Sequence, residues 1–232
     1  MGRGAAVRRI LAAVVLVLLV AGCGSASDPS PPAGVDELVI PTPSPDPDDF
    51  VAAIDNPWLP LRVGATWEYT SVGATPARLA VTVMEGPTVA GVATTAVRSV
   101  TGQGGDGGPG TTVDYYAQDS DGNVWWFGRE GEWEAGADGA EAGVAMLARP
   151  RLGDGYREAY DEGVVDQRAV ITSLDDDVEV PAQAYAHVLV IETTSPAGDV
   201  VRNHYARGTG LVLREGGPEM PLELVAHDEP QS

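Results

Sequence analysis

Apolar and polar residues alternate in short runs along most of the chain beyond its proline-rich N-terminal part. In 66–70 the period of two places a tryptophan and a tyrosine on one face, and similar alternation covers 79–83 and 92–100. Successive side chains of a strand point to opposite faces, and valine, threonine and aromatic residues fit a pleated surface. We expect Gly86-Pro87 to end the second of these strands. The pattern therefore predicts β-structure.

The clearest element is a hairpin over 112–127. An alternating run at 112–118 is followed by a turn that contains Asp121-Gly122, and then by an aromatic run at 123–127. An Asp-Gly pair between two alternating runs is a strong short-range signal for a β-hairpin.

Alternation of the same kind continues almost to the C-terminus. Further strands are predicted at 155–160, 165–173, 178–180, 184–194, 199–206 and 209–214, with turns at 175–177, 196–199 and 207–210. One short helix is predicted over 135–148, where Ala, Glu, Met and Leu are concentrated before Pro150. Many short strands without helical crossovers favour antiparallel pairing. The predicted fold is mainly β, a single domain of antiparallel, strongly curved sheet or open barrel, with roughly eight to ten strands and at most one or two short helices.

The N-terminus has the layout of a secretory signal peptide. An apolar run over 10–21 follows three arginines and is too short to span a bilayer comfortably. It ends in Val20-Ala21-Gly22-Cys23, which resembles the lipobox of bacterial lipoproteins, where the cysteine is diacylated and the chain is cut just before it. Two acyl chains anchor a protein stably, whereas one does so only marginally. Cys23 is the sole cysteine of the chain, and we predict that it is lipidated.

The organisation that follows has four parts. Residues 1–22 are a lipoprotein signal peptide, 23–49 a lipidated cysteine with a disordered tether rich in Pro, Ser and Asp, 50–228 the β domain, and 229–232 a tail. The predicted location is the extracytoplasmic face of the cell membrane, to which the protein is anchored by lipid.

Charge narrows the choice of partners. The chain has 34 acidic and 14 basic residues, a formal net charge of −20, and all of its basic residues are arginine. Such a charge opposes binding to nucleic acid. We expect a monomer whose partners are the membrane, through its N-terminal anchor, and a lipid-like ligand or an envelope protein.

Several motifs together resemble a group of uncharacterised secreted bacterial proteins of actinobacterial type. Asn56-Pro57-Trp58-Leu59-Pro60-Leu61 followed by Gly64-Ala65-Thr66-Trp67-Glu68-Tyr69 is similar to that group's NPWxPLxPGTTWxY opening. The stretch 115–128 is similar to its YAQDxDGNVWYFGE motif, and 133–140 to its WEAGxDGA motif. The resemblance implies a secreted or lipid-anchored β domain, and it implies no activity for any residue.

Candidate chemistry is sparse. The sequence contains no G-x-S-x-G, no H-E-x-x-H and no cysteine-based catalytic motif, and we predict no catalytic residue and no cofactor. The alternative to a non-enzymatic protein is a secreted hydrolase of envelope glycans that uses carboxylates, which are crowded over 130–141. Asp119, Asp121 and Asn123 form a weak candidate calcium loop, but a hairpin turn accounts for the same residues.

The aromatic residues of the hairpin are the better functional indication. Because neighbouring strand residues face opposite ways, the rings of 125–127 are divided between both faces of the sheet. Either the core and the loop over 130–150 cover the two faces, or that loop roofs a ligand groove. The predicted ligand-binding residues are Tyr116, Trp125, Phe127 and Trp133. The favoured function is a non-enzymatic binding module for an apolar or amphiphilic ligand, or for an envelope component.

Overall fold

The computed structural model describes residues 46–73, 76–102, 110–217 and 221–230. The predicted signal peptide, Cys23 and nearly all of the tether lie outside these residues. The fourteen strands are β1 (Phe50–Val51), β2 (Thr66–Ser71), β3 (Arg78–Val89), β4 (Val92–Gly102), β5 (Gly110–Asp119), β6 (Val124–Arg129), β7 (Trp133–Glu134), β8 (Glu141–Met146), β9 (Gly155–Asp161), β10 (Val165–Glu179), β11 (Ala184–Thr194), β12 (Val200–Ala206), β13 (Gly210–Gly216) and β14 (Leu222–Asp228).

Twelve of these strands close into an antiparallel barrel. Each pairs with the next along the chain from β2 to β6, then β6 pairs with β8, and sequential pairing continues from β8 to β14. The barrel closes where β14 pairs with β2, for example Leu224 with Tyr69. The two-residue strands β1 and β7 add to β5 and β6. The predicted antiparallel, mainly β fold is thus confirmed, although the barrel is closed and has more strands than the eight to ten expected.

The helix predicted over 135–148 is wrong. This segment contains a turn and β8, which pairs with β6 at Trp125–Val144 and with β9 at Ala142–Ala159. Gly143 explains the close strand contact, because a Cβ there would lie 2.5 Å from the backbone of Arg157 and Glu158. In the part of the chain that the structure describes, the helical structure is a 3₁₀ turn at Pro47–Asp49, and no helix is long and apolar enough to cross a membrane.

Two predicted strand ends are also wrong. Gly86-Pro87 does not end β3, which runs on to Val89 through an irregular register between Glu85 and Thr88. The acidic stretch 175–177 is not a turn but part of β10, where three register shifts accommodate it against β11. Bulges thus absorb residues that the local pattern places in turns.

A plug formed by Ile54–Leu61 closes one end of the barrel. The Asn56 side chain holds it, because its Nδ2 donates to the carbonyl oxygens of Gly122 (2.9 Å) and Leu147 (3.3 Å), which belong to two connections at that end. Its Oδ1 accepts from the backbone N–H of Trp58 (2.9 Å) and Leu59 (3.3 Å), which fixes the turn of the plug itself. The Pro57 carbonyl accepts from the N–H of Gly208 at 2.8 Å.

The apolar side of the plug belongs to the main hydrophobic core. Trp58 and Leu61 are each 6% exposed and pack with buried residues of most barrel strands, among them Val83, Ile171 and Leu189. Burial of side chains of this size contributes roughly 1.5–3 kcal/mol each. The NPWxPL motif of the sequence therefore has a structural role, which is to stop one end of the barrel.

Candidate ligand-binding cavity

The barrel interior beyond the plug is a cavity of about 980 Å³. Its floor is made by Leu59 and Leu61 of the plug together with Trp67 of β2. At the opposite end the cavity reaches the strand ends Ser71, Arg78, Thr101, Gly110 and Leu222. We call this end the mouth. An eight-stranded barrel is just filled by side chains, and a barrel of twelve strands has room for a molecule inside.

Most of the wall near the floor is apolar. Trp67 and Tyr69 of β2 are directed inward by strand alternation, and each is fixed by a polar contact at its rim. Trp67 Nε1 donates to the Thr209 carbonyl at 2.7 Å, and the Tyr69 hydroxyl donates to the Leu211 carbonyl at 3.0 Å. The aliphatic residues of the wall are Leu79, Val81, Val97 and Leu211, and Leu222 adds to them at the mouth. This side of the cavity offers rings and branched chains with their polar atoms already satisfied.

A polar cluster on the wall formed by β9 to β13 interrupts the apolar lining. Arg214 Nε donates to Asn203 Oδ1 at 3.0 Å, and Asn203 Nδ2 donates to Thr193 Oγ1 at 3.4 Å. Thr193 lies beside the Glu158 carboxyl, and Gln167 completes this wall. The cluster therefore places one cationic and one acidic side chain inside the barrel.

Glu158 has a strongly perturbed acidity. Burial raises the pKa of Glu158 from 4.5 to about 7, although the Thr193 hydroxyl and the Arg214 guanidinium act in the opposite direction. The side chain is only half-buried by accessibility because it faces the cavity, while protein surrounds it on every other side. A carboxyl that titrates near neutrality inside a cavity is a recognised indicator of a functional site.

Two tyrosine hydroxyls face the same space. Tyr116 of β5 and Tyr205 of β12 line the cavity, and neither hydroxyl has a hydrogen-bond partner among the described residues. Burial raises the pKa of both phenols, so they stay neutral and are available as donors at neutral pH.

The wall opposite the polar cluster contains a compensated carboxylate. Asp114 of β5 lines the cavity and accepts from Arg129 Nε at 2.8 Å and Nη2 at 3.3 Å. The Arg129 guanidinium lies over the Trp126 ring, 5.3 Å from its centroid. Burial raises the pKa of Asp114, while the Arg129 pair lowers it. Since Asp114 is paired with Arg129, it is not the counter-ion of Arg214.

The structure separates the four predicted ligand-binding aromatic residues. Tyr116 lines the cavity and stacks on Trp126, which also lines it, with ring centroids 6.4 Å apart. Trp125 and Phe127 point to the other face of the hairpin, where they are buried with Phe50 in a second apolar cluster. Trp133 packs edge-on against Trp126 at 5.1 Å, in a third cluster outside the cavity lining. Direct contact with a molecule in this cavity is thus open to Tyr116 and Trp126.

The acidic residues singled out in the sequence lie away from the cavity. Asp119 is the last residue of β5, and its carboxylate accepts from the backbone N–H of Asn123 (2.8 Å), from Asn123 Nδ2 (2.9 Å) and from Trp125 Nε1 (2.8 Å). Asp121 is exposed, and within the described ranges no group of three or more His, Cys, Asp or Glu side chains could hold a metal ion. The carboxylates of 130–141 are exposed and do not line the cavity; they are Glu130, Glu132, Glu134, Asp138 and Glu141.

The polar cluster has no signature in the sequence that predicts it. Arg214, Asn203, Thr193 and Glu158 come from four different strands, and none belongs to a motif. The available signal was a charged residue at an inward position of a predicted strand, which identifies a candidate only when the closure of the barrel is known.

Comparison with known proteins does not place this chain in a family. No family model matches the chain, and no curated protein matches it. One solved structure, described as that of a "putative lipoprotein" from Parabacteroides distasonis ATCC 8503, has 14% sequence identity and a TM-score of 0.40; the match covers 74% of this chain and 98% of that chain. The resemblance of the motifs to a group of secreted bacterial proteins stays a prediction.

Proposed function

We propose that this protein is a non-enzymatic binding protein of the cell envelope, anchored by lipid at Cys23, that holds an amphiphilic molecule inside its barrel. The observation that carries the proposal is the cavity of about 980 Å³ with an apolar floor and a polar wall. Ligand sites are typically concave spaces of roughly 300–1,000 Å³ lined mainly by apolar and aromatic side chains, with a few polar groups that orient the ligand.

The position of the plug supports binding rather than passage. Leu59 and Leu61 form the floor, and two hydrogen bonds of the Asn56 side chain attach the plug to the barrel. A molecule that enters at the mouth therefore meets a closed end. Its apolar part has the floor and the aliphatic wall to contact, while its polar part has the cluster around Arg214.

Probe binding by the chain 23–232, expressed without its signal peptide so that no lipid is attached, tests the proposal. This chain retains the whole barrel, since every strand and the plug lie between Phe50 and Asp228. The neutral fluorescent probe N-phenyl-1-naphthylamine should bind with one-to-one stoichiometry. Mass spectrometry of organic extracts from the purified protein should show an amphiphile that co-purifies.

A matched pair of variants places the probe in the cavity. Val97 of β4 lines the cavity, whereas Val100 of the same strand points to the outer face. Val97→Trp should fill the space and weaken probe binding at least about tenfold, while Val100→Trp should bind as the wild type does. Should Val97→Trp fail to fold by circular dichroism, Ser99→Trp fills the same cavity. Absence of probe binding by the wild type, or unchanged binding by a folded cavity-filling variant, would overturn the proposal.

A further inference from the structure

The guanidinium of Arg214 on the cavity wall has no direct ion pair among the described residues. Its Nε donates to Asn203, and no carboxylate of the described residues lies within 4.0 Å of it, whereas Asp114 on the opposite wall is paired with Arg129. The four remaining N–H groups of Arg214 have no acceptor among the described residues. In a chain of formal charge −20, a cation that is left unpaired inside the barrel is directed at something other than the protein.

Arg214 lies near the mouth of the barrel, where it can contact the polar head group of an amphiphile whose chain points to the floor. Arg214 pairs in register with Leu222, and Leu222 pairs with Ser71 at the mouth. Trp67 at the floor is four residues below Ser71 on β2, which corresponds to about 13 Å along the strand. Between these levels β3 lines the cavity with Leu79, which pairs with Tyr69, and with Val81, which pairs with Trp67, while β4 adds Ser99 and Thr101. A polar group at Arg214 therefore leaves room for a chain that extends down to the floor.

We propose that Arg214 anchors the carboxylate of an amphiphile with one apolar chain, and that this chain lies along the aliphatic wall down to Leu59 and Leu61. The inference rests on the proposed function, and it names the ligand class of the same cavity. The planar guanidinium fork matches a carboxylate in a bidentate arrangement. Tyr205, which adjoins Arg214 and has an unpartnered hydroxyl, supplies a further donor.

Glu158 selects for a single negative charge. When Glu158 is protonated, it adds a donor to the site and Arg214 is free to pair with the ligand. When Glu158 is ionised, it competes for Arg214 and repels the ligand carboxylate. A dianionic head group such as phosphate would bring a second charge towards Glu158 and Asp114, so the carboxylate is favoured.

Among the titratable groups of this cluster, Glu158 is the one that changes its protonation state near neutral pH and so controls the binding of a carboxylate. The groups coupled to it are Arg214 of β13, Tyr205 of β12, Tyr116 of β5 and Tyr156 of β9 itself. Burial raises the pKa of the three tyrosines above its usual value, so none of them ionises between pH 6 and pH 8. Carboxylate binding should therefore weaken as the pH rises through about 7, by at most about tenfold per pH unit.

The experiment compares dodecanoic acid and dodecan-1-ol, which share one chain length, by isothermal titration calorimetry on the chain 23–232. At pH 6 the wild type should bind the acid at least about tenfold more tightly than the alcohol. Arg214→Gln should weaken acid binding by about 30-fold or more and leave alcohol binding within about threefold. Arg214→Lys, which retains the charge, should restore part of the acid binding.

Two further variants complete the design. Arg202→Gln removes the same charge from the exposed, outer side of neighbouring β12, where Arg202 pairs with Glu192, and it should bind the acid as the wild type does. Glu158→Gln should bind the acid at pH 8 as tightly as the wild type does at pH 6, because glutamine cannot ionise.

The outcomes separate this inference from the proposed function. Equal binding of acid and alcohol by the wild type, or full acid binding by a folded Arg214→Gln protein, would overturn the carboxylate anchor and leave an amphiphile-binding barrel. Binding of neither compound would overturn both proposals.

Discussion

Replacement of Glu158 by glutamine should make the unliganded barrel more stable than the wild type at pH 8, but not at pH 4. The reason is the folded-state pKa of Glu158, which burial raises from 4.5 to about 7. Between these two values the folded protein holds a proton that the unfolded chain has lost, so the free energy of unfolding of the wild type falls as the pH rises. Above about pH 7 the full cost of burying the charge is present, and glutamine avoids it.

The size of the effect follows from the shift. A displacement from 4.5 to about 7, at 1.36 kcal/mol per unit, corresponds to a cost of about 3 kcal/mol. Glu158 faces an open cavity rather than packed side chains, so water screens part of its charge. We therefore expect Glu158→Gln to gain between about 1.5 and 3 kcal/mol at pH 8 relative to the wild type.

Urea unfolding of the chain 23–232, followed by tryptophan fluorescence from pH 4 to pH 8, measures this difference. Subtraction of the wild-type curve removes the contribution of all other titrating groups. Glu68→Gln makes the same charge change on the outer face of β2, and its difference from the wild type should stay within about 0.5 kcal/mol. A difference for Glu158→Gln that is flat with pH, or that favours the wild type at pH 8, would refute the idea that this carboxyl is buried at a cost.

Three other changes test the plug, the strand contacts and the anchor. Asn56→Ala removes four hydrogen bonds of a side chain that is 2% exposed. It should lower the free energy of unfolding, measured by urea titration, by about 2–4 kcal/mol. The control Thr88→Ala, at an exposed position, should change this free energy by less than about 0.5 kcal/mol. Gly143→Ala should cost about 1–3 kcal/mol and lower Tm in calorimetry, because its Cβ would lie 2.5 Å from the backbone of β9; an unchanged Tm would contradict the tight packing of β8 on β9. Cys23→Ser should abolish labelling of the protein by a radioactive fatty acid in cells, and equal labelling of variant and wild type would mean that Cys23 is not the site of lipidation.

Alternation was sufficient to predict most of the strands. It predicted β2, the hairpin of β5 and β6, and the successive strands from β9 to β13, because a period of two is a local property of the sequence. It failed for β8, whose Ala, Glu and Met content favours a helix while its pairing partners favour a strand. Propensity is a weak prior that tertiary pairing overrides.

The candidate site was less accessible to sequence reasoning. The hairpin rings were recognised, but which face of the hairpin turns inward depends on the register Tyr116–Trp126 and on the bulge beside it. The polar cluster depends on non-local contacts, since Glu158 and Arg214 are brought together by four intervening hairpin connections. Glu158 and Arg214 lie in different strands and form no common motif. A local sequence pattern therefore cannot predict their contact.

Because β14 pairs with β2, the barrel cannot close before its last strand has been synthesised. The partners Trp67 and His227 stack at 4.8 Å, although nearly the whole domain separates them in sequence. A chain that is synthesised from its N-terminus therefore exposes the open edge of β2 until Leu222–Asp228 has followed. Contacts between residues so far apart in sequence slow folding. While β2 lacks its partner strand, proteolysis and aggregation compete with folding. A stop codon that removes only β14 would leave the plug segment and eleven barrel strands in the chain but no enclosed space.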